Sequence, residues 1–257
     1  MGFSAAWLAL REPADHAARD AALLRAAAQA AGPQAVIVDL GCGTGSTIRA
    51  FAGLLAEGAV WRLVDNDPEL LRHASAAAPA GVSTHRVDLR DLDSLPLDGA
   101  SLVTASALLD LCSLEWVEHL AARLAEHRLP FYAALSYDGV MHWTPPDRVD
   151  APVTDAFNRH QVGDKGFGAA LGPGATEAMA AALERRGYAV HRADIPWKLG
   201  PDQCALQREL IAGIAMAAAE AGEAQAMAWG GTRTDSVETA VCHIGHTDLL
   251  ALPPDAP

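Results

Sequence analysis

The sequence predicts an α/β fold: a doubly wound, mostly parallel sheet with helices on both faces. Three observations carry this prediction. Short apolar, β-branched runs alternate with helix-forming stretches between Ala35 and Tyr137. The runs are apolar at successive positions, as strands buried on both faces are. A glycine-rich turn joins the first run directly to a helix, the arrangement of a βα unit.

Each element follows in order. Asp15 to Ala31 is rich in Ala, Leu and Arg and ends at Gly32-Pro33, which predicts a helix and its stop. Ala35 to Leu40 is the first strand, and a helix is expected from Ser46 to Glu57. Val60 to Val64 is the second strand. Asp67-Pro68 then opens a helix, with Asp as N-cap and Pro at the first helical position. Strands follow at Val82 to Val87, Ser101 to Ala105 and Pro130 to Tyr137, with a helix from Leu114 to His127. Val117, Leu120, Ala121 and Leu124 fall on one face of that helix. The stretch from Met141 to Gly174 is long, aromatic and histidine-bearing, and reads as a lid. A helix from Ala175 to Arg186, a sixth strand from Tyr188 to Leu199 and a long helix from Asp202 to Ala221 come next. A short helix near Thr234 to Ala240 and a seventh strand from His243 to Leu252 close the chain. The expected organisation is one domain over residues 1–257. It comprises a helical cap (1–31), a core (32–137), a lid (138–174) and closing helices and strands (175–257).

A chain of 257 residues, 51% hydrophobic, can bury a sizeable core without staples. Nineteen basic against 32 acidic side chains leave a net charge of −13, which repels phosphate backbones and anionic lipid. Nucleic-acid coating and membrane-surface binding are therefore not expected. No apolar run reaches the roughly 20 residues of a membrane helix. Phe3 to Leu10 is a poor signal peptide, and Met1-Gly2 lacks the Ser or Thr at position 6 that myristoylation wants. The four cysteines form no C-x-x-C pair and read as reduced thiols of a cytoplasmic protein. His243 and His246 would lie on opposite faces of a strand, so no metal site is expected. Gly166 to Gly174 lacks the G-K-[ST] of a phosphate loop and reads as a hinge.

The informative segment is Val38-Asp-Leu-Gly-Cys-Gly-Thr-Gly-Ser46, between a buried strand and a helix. Alternate glycines at 41, 43 and 45 allow a tight turn and the close approach of a ligand to free helix N–H groups. A dinucleotide loop wants G-x-G-x-x-G, and position 46 is Ser, which argues against a nicotinamide oxidoreductase. At this point the chain resembles the class I S-adenosylmethionine-dependent methyltransferases. Their first motif is an acidic residue, here Asp39, one further residue and G-x-G-x-G. The resemblance covers about residues 35 to 137. It implies a Rossmann-like sheet of seven strands whose last strand is antiparallel, with a helical lid or insertion. It also implies S-adenosylmethionine as cofactor and S-adenosylhomocysteine as product.

The resemblance assigns cofactor-binding roles to Asp39, Gly41, Cys42, Gly43 and Gly45. Asp65, with Asn66 beside it, ends the second strand, where a carboxylate can accept both ribose hydroxyls. Asp88 would take the adenine amino group and the Leu89 N–H the ring, with Asp91 and Asp93 as competing carboxylates. Ser106 would line the methionine half. Asp110 reads as a helix cap or a solvated residue, with a base or ligand role as the alternative. Arg11 and Arg19, in the N-terminal helical segment, are the candidate forks for the cofactor's carboxylate.

Methyl transfer needs positioning and often the removal of one proton. His142 and His160 are the candidate bases, and Tyr137, Trp143 and Phe157 a candidate apolar wall. The expected activity is methyl transfer to a small-molecule acceptor at an undetermined O, N or C atom, by a monomer or homodimer. The alternatives are an RNA or protein methyltransferase and an idle S-adenosylmethionine-binding module. The Asn/Asp-Pro-Pro-aromatic signature of amino-methylating members is absent after the fourth strand.

Overall fold

The computed structural model describes residues 3–78 and 81–254; Met1 and Gly2 lie outside them. The chain begins with α1 (Ala5–Ala18) and α2 (Ala21–Ala31). The helix expected from Asp15 to Ala31 is thus two helices. The break comes at Arg19, in an extended conformation, because Asp20 acts as a new N-cap and accepts from the N–H groups of Ala22 and Leu23. The core then runs β1 (Val36–Leu40), α3 (Ser46–Ala50), β2 (Val60–Asp65), α4 (Pro68–Ala77), β3 (Val82–Arg86), β4 (Leu102–Ser106), α5 (Leu114–His127) and β5 (Phe131–Thr144). It continues through α6 (Asp150–Gln161), α7 (Ala175–Glu184), β6 (Ala189–Asp194), β7 (Trp197–Leu199), α8 (Cys204–Glu220), α9 (Ala226–Asp235) and β8 (Val241–Leu252).

The sheet order is β3-β2-β1-β4-β5-β8-β6, with β7 also paired to β8. The first five strands are parallel, and β8 runs antiparallel to β5, β6 and β7. The winding reverses between β1 and β4, so their carboxyl ends flank the crevice where such sheets bind ligands. Adjacent residues of β1 point to opposite faces. Ile37 packs with Ala27 of α2 and Leu71 of α4, whereas Val38 and Leu40 pack with Leu120 of α5 and Met179 of α7. A third cluster joins the end of β5 to α6, α8 and α9.

Four further elements differ from the sequence expectation. The helix expected from Ser46 to Glu57 ends at Ala50, where the chain turns through Gly53 and Gly58, both at positive φ. The fifth strand, expected to end at Tyr137, bends through two register shifts and runs on to Thr144. The expected lid therefore begins inside the sheet. The sixth strand splits at Ile195-Pro196, where Pro has no N–H for the ladder. The short helix expected near Thr234 lies earlier, at α9.

Asp248 of β8 is fully buried and joins three elements. It accepts from the Tyr132 hydroxyl (2.8 Å), the Leu135 N–H (3.0 Å) and the Asp20 N–H (3.1 Å). The last bond fixes the α1–α2 break against the sheet. Replacing Asp248 by Ala strands three buried donors and is expected to cost about 3 kcal/mol or more in a denaturant melt.

Candidate functional site

The glycine turn is built by its backbone. Gly41, Gly43 and Gly45 have φ of 63°, 53° and 82°. A Cβ on Gly43 would come 3.1 Å from Leu8 of α1, and one on Gly45 would meet Ala74 of α4. Glycine thus lets α1 lie across the turn and α4 pack beside it. The Asp65 carboxylate ties the turn to β2, accepting from the Gly43 N–H (3.0 Å) and the Asp67 N–H (3.0 Å). Asp67 itself caps α4.

These elements surround a cavity of about 230 Å³. Gly41, Cys42, Gly43, Asp65, Asn66, Asp88, Leu89 and Ser106 line it from the sheet side, and Arg11 and Arg19 from the N-terminal segment. Asp39 and Gly45 stand behind the lining. Asp91 and Asp93 stay outside it; Asp91 accepts from Ser94 and Asp93 sits beside His119 and Arg123.

The two arginines differ. Arg11 is spent: it makes a bidentate pair with Asp15 (2.9 and 3.0 Å) and stacks over Trp197. Arg19 is 7% exposed and donates from Nη2 to Ser106 Oγ (2.9 Å), while its Nε and Nη1 are buried with no partner. Two unpartnered N–H groups on a planar fork fit a carboxylate. Asp39 is 1% exposed, accepts from Thr104 Oγ1 (2.7 Å) and leaves Oδ2 unpartnered. Burial pushes its carboxyl up to about 7, against the Thr104 hydrogen bond and the Arg19 charge. Hydrogen bonds from Arg90 hold Asp88 down to about 2, so the latter stays an acceptor. Leu89 is held by its carbonyl, which accepts from Trp116 Nε1 (2.6 Å).

A second cavity of about 130 Å³ adjoins the first, sharing Phe3, Arg11, Ala107, Leu111 and Leu135 with it. Ala107 and Leu135 both have positive φ, so the backbone is strained where the cavities meet. Trp7, Tyr137, Phe157 and Trp197 give the second chamber aromatic walls. Trp143, the third member of the expected wall, packs instead against Trp229 in the cluster behind. Asp110 and His246 also line this chamber. Burial and the Arg11 charge lower His246 to about 3, so it is neutral. Its Nδ1 faces the Ile244 carbonyl (3.0 Å), which can accept but not donate, so Nδ1 carries the proton.

The expected bases need correction. His142 is exposed on β5, opposite His243, and borders neither cavity. His160 ends α6 between Glu220 (3.0 Å) and Lys165 (3.1 Å), also outside both. The bends of β5 and the exposed face of α6 turn them away. Trp7, Asp15, Asp110, Trp197 and His246 were not assigned to the site from the sequence. Only Asp110 carried a signal there, four residues beyond Ser106 on the turn after β4.

Residues 37–130 match the family model of a methyltransferase domain. No curated protein matches the chain. Among solved structures, a cyclopropane-fatty-acyl-phospholipid synthase-like protein from Lactobacillus casei is 15% identical with a TM-score of 0.57, over 98% of this chain and 95% of that one. The cyclopropane synthase MmaA2 from Mycobacterium tuberculosis is 12% identical with a TM-score of 0.54, over 97% and 94%. An exported-protein candidate from Bordetella parapertussis is 16% identical with a TM-score of 0.50; 90% of this chain spans 66% of that one. At these identities the likeness shows the fold. The methyltransferase-domain match over residues 37–130 and the glycine motif are the features that class I S-adenosylmethionine-dependent methyltransferases carry. The residues present fit that cofactor: Arg19 has free donors for its carboxylate and Asp65 presents a carboxylate to the cavity, while Asp39 keeps a free oxygen behind the lining.

Among the described residues no group of three metal-ligating side chains occurs, and no helix is long and apolar enough to cross a membrane.

The raised Asp39 carboxyl has a definite sign. It holds a proton in the fold at pH values where the unfolded chain has lost it, so its contribution is full below about 4 and lost as pH rises through about 7. The Tm of the wild type relative to Asp39→Asn is expected to fall by roughly 5 °C between about pH 5.5 and about pH 8.5, read in parallel thermal melts without cofactor.

Proposed function

We propose that this chain moves the methyl group of S-adenosylmethionine to a small-molecule acceptor held in the aromatic chamber. The observation that carries this reading is the shared wall of the two cavities: the nucleoside-sized space opens beside Ala107, Leu111 and Leu135 onto a second, apolar space. When bound, the cofactor supplies an electrophilic methyl on a sulfonium. The protein's part is positioning. Arg19 would take the carboxylate and Asp39 the ammonium. Asp65 would take the ribose hydroxyls, and Asp88 with the Leu89 N–H the adenine. Leu8 and Arg11 of α1 roof the site.

A small acceptor fits the aromatic walls, and a net charge of −13 disfavours RNA. The four unpaired cysteines, three of them buried, suit a reducing compartment, so the reading includes a cytoplasmic location. The whole chain serves as one catalytic unit, because the chamber draws on α1, β5, α6, β7 and β8 together.

Calorimetry is expected to show heat with S-adenosylhomocysteine and none with NAD. Arg19→Met is expected to weaken S-adenosylhomocysteine about 10-fold or more, by removing the charged fork. No heat from the wild-type chain would overturn the assignment of the first cavity. Binding without turnover on any small acceptor would leave a sensor in place of an enzyme.

A further inference from the structure

Asp110 lies in a short 3-10 turn, Leu109–Leu111, between β4 and α5. It caps nothing at the helix; Ser113 does that, accepting from the Trp116 N–H. Its neighbours Ala107 and Leu111 border both cavities, so Asp110 faces the chamber close to where the two spaces meet. Its Oδ1 is buried and has no partner. Leaving such an acceptor unpaired is costly, which calls for a donor supplied from outside the chain.

The groups around it are engaged elsewhere. Arg11 of α1 is taken by Asp15, and Lys165, after α6, contacts His160 Nδ1. The Tyr137 hydroxyl of β5 donates to Asn158, and His246 of β8 is neutral, its Nδ1–H donating to the Ile244 carbonyl. The Cys112 thiol donates to the Leu108 carbonyl. The chamber therefore holds aromatic walls, the Asp110 carboxylate with unused accepting capacity, the Gln161 amide and the Nε2 lone pair of neutral His246.

Resting on the methyl-transfer reading above, we infer that Asp110 receives the acceptor's proton, and that the acceptor is a hydroxyl compound with an apolar body. In the step, the acceptor oxygen forms a bond to the methyl carbon and its proton passes to the Asp110 carboxylate. The carbon–sulfur bond breaks, its electron pair goes to sulfur, and the sulfonium charge is cancelled. Burial pushes Asp110 up to about 6, offset in part by its own backbone N–H and then by Arg11 and Lys165, so it is ionised at neutral pH and still basic enough to take a proton. An alkene acceptor would offer Oδ1 no hydrogen to accept.

The test uses p-cresol and its isostere p-xylene on the full chain loaded with S-adenosylhomocysteine, with affinities from ligand-observed NMR. The wild type is expected to hold p-cresol about 10-fold tighter than p-xylene at about pH 8. That preference is expected to vanish in Asp110→Asn and to shrink in the wild type at about pH 5, where the carboxylate is protonated. Equal affinities in the wild type, or a preference kept by Asp110→Asn, would overturn the inference. Should the variant not fold, the wild-type pH comparison decides: a preference unchanged at the lower pH overturns it. The heat of S-adenosylhomocysteine binding is recorded on the same samples. Its absence from the wild type sinks the methyl-transfer reading, whereas its presence with no p-cresol preference sinks the role of Asp110 alone.

Discussion

The buried carboxylate of Asp248 sets the geometry on which the site depends. One oxygen accepts the Leu135 N–H at the bend of β5, where Leu135 is held at positive φ. The other accepts the Tyr132 hydroxyl and the Asp20 N–H. Leu135 borders both cavities, and Asp20 follows Arg19. A single side chain thus holds the wall between two chambers and the break that aims an arginine into one of them. Burial pushes Asp248 upward, so its three donors work against a desolvation cost. Such an arrangement persists when the network is fully satisfied, as this one is.

Polar groups around the first cavity divide into those already satisfied and those held ready. Asp65 is committed to the turn by two backbone N–H groups, yet a carboxylate has further lone pairs to offer. Arg11 and Asp15 neutralise one another, and Trp197 seals the pair, donating to Asp15 and lying under the guanidinium. Arg19 and Asp39 are opposite: each keeps buried valence unspent. An amino acid moiety, with one carboxylate and one ammonium, is the complement of an arginine beside an aspartate. Pairing both groups with such a moiety would turn their unspent valence into affinity.

The glycine turn and the strand ends were legible because local backbone demands write them. Positive φ at Gly41, Gly43 and Gly45 admits few other residues, and a carboxylate at the tip of β2 is placed by strand length alone. The aromatic chamber was not legible because it is assembled from distant pieces. Trp7 reaches it through the break at Arg19, Trp197 through the split at Pro196, and Tyr137 through the bulges of β5. None of these irregularities leaves a periodic signal. His142 and His160 misled for the same reason: their residue type suited the chemistry, while their direction depended on a bend the sequence does not announce.

The roof of the site is held more by polar contacts than by a core. Of α1, Ala14 and Asp15 alone are buried. Its grip comes from Glu12 on Arg49 (2.5 and 2.6 Å), His16 on Ser46 (3.1 Å) and Asp15 on Trp197 (3.1 Å). Hydrogen bonds of this kind contribute about 1 kcal/mol each and exchange with water when they open. The α2 helix, by contrast, places Leu24, Ala27, Ala28 and Ala31 in the central cluster, and Asp248 fixes its start. Motion that admits a nucleoside would therefore hinge at Arg19 and Asp20. Local opening is cheapest where buried apolar contact is least, and here that boundary falls next to the arginine that would hold the ligand.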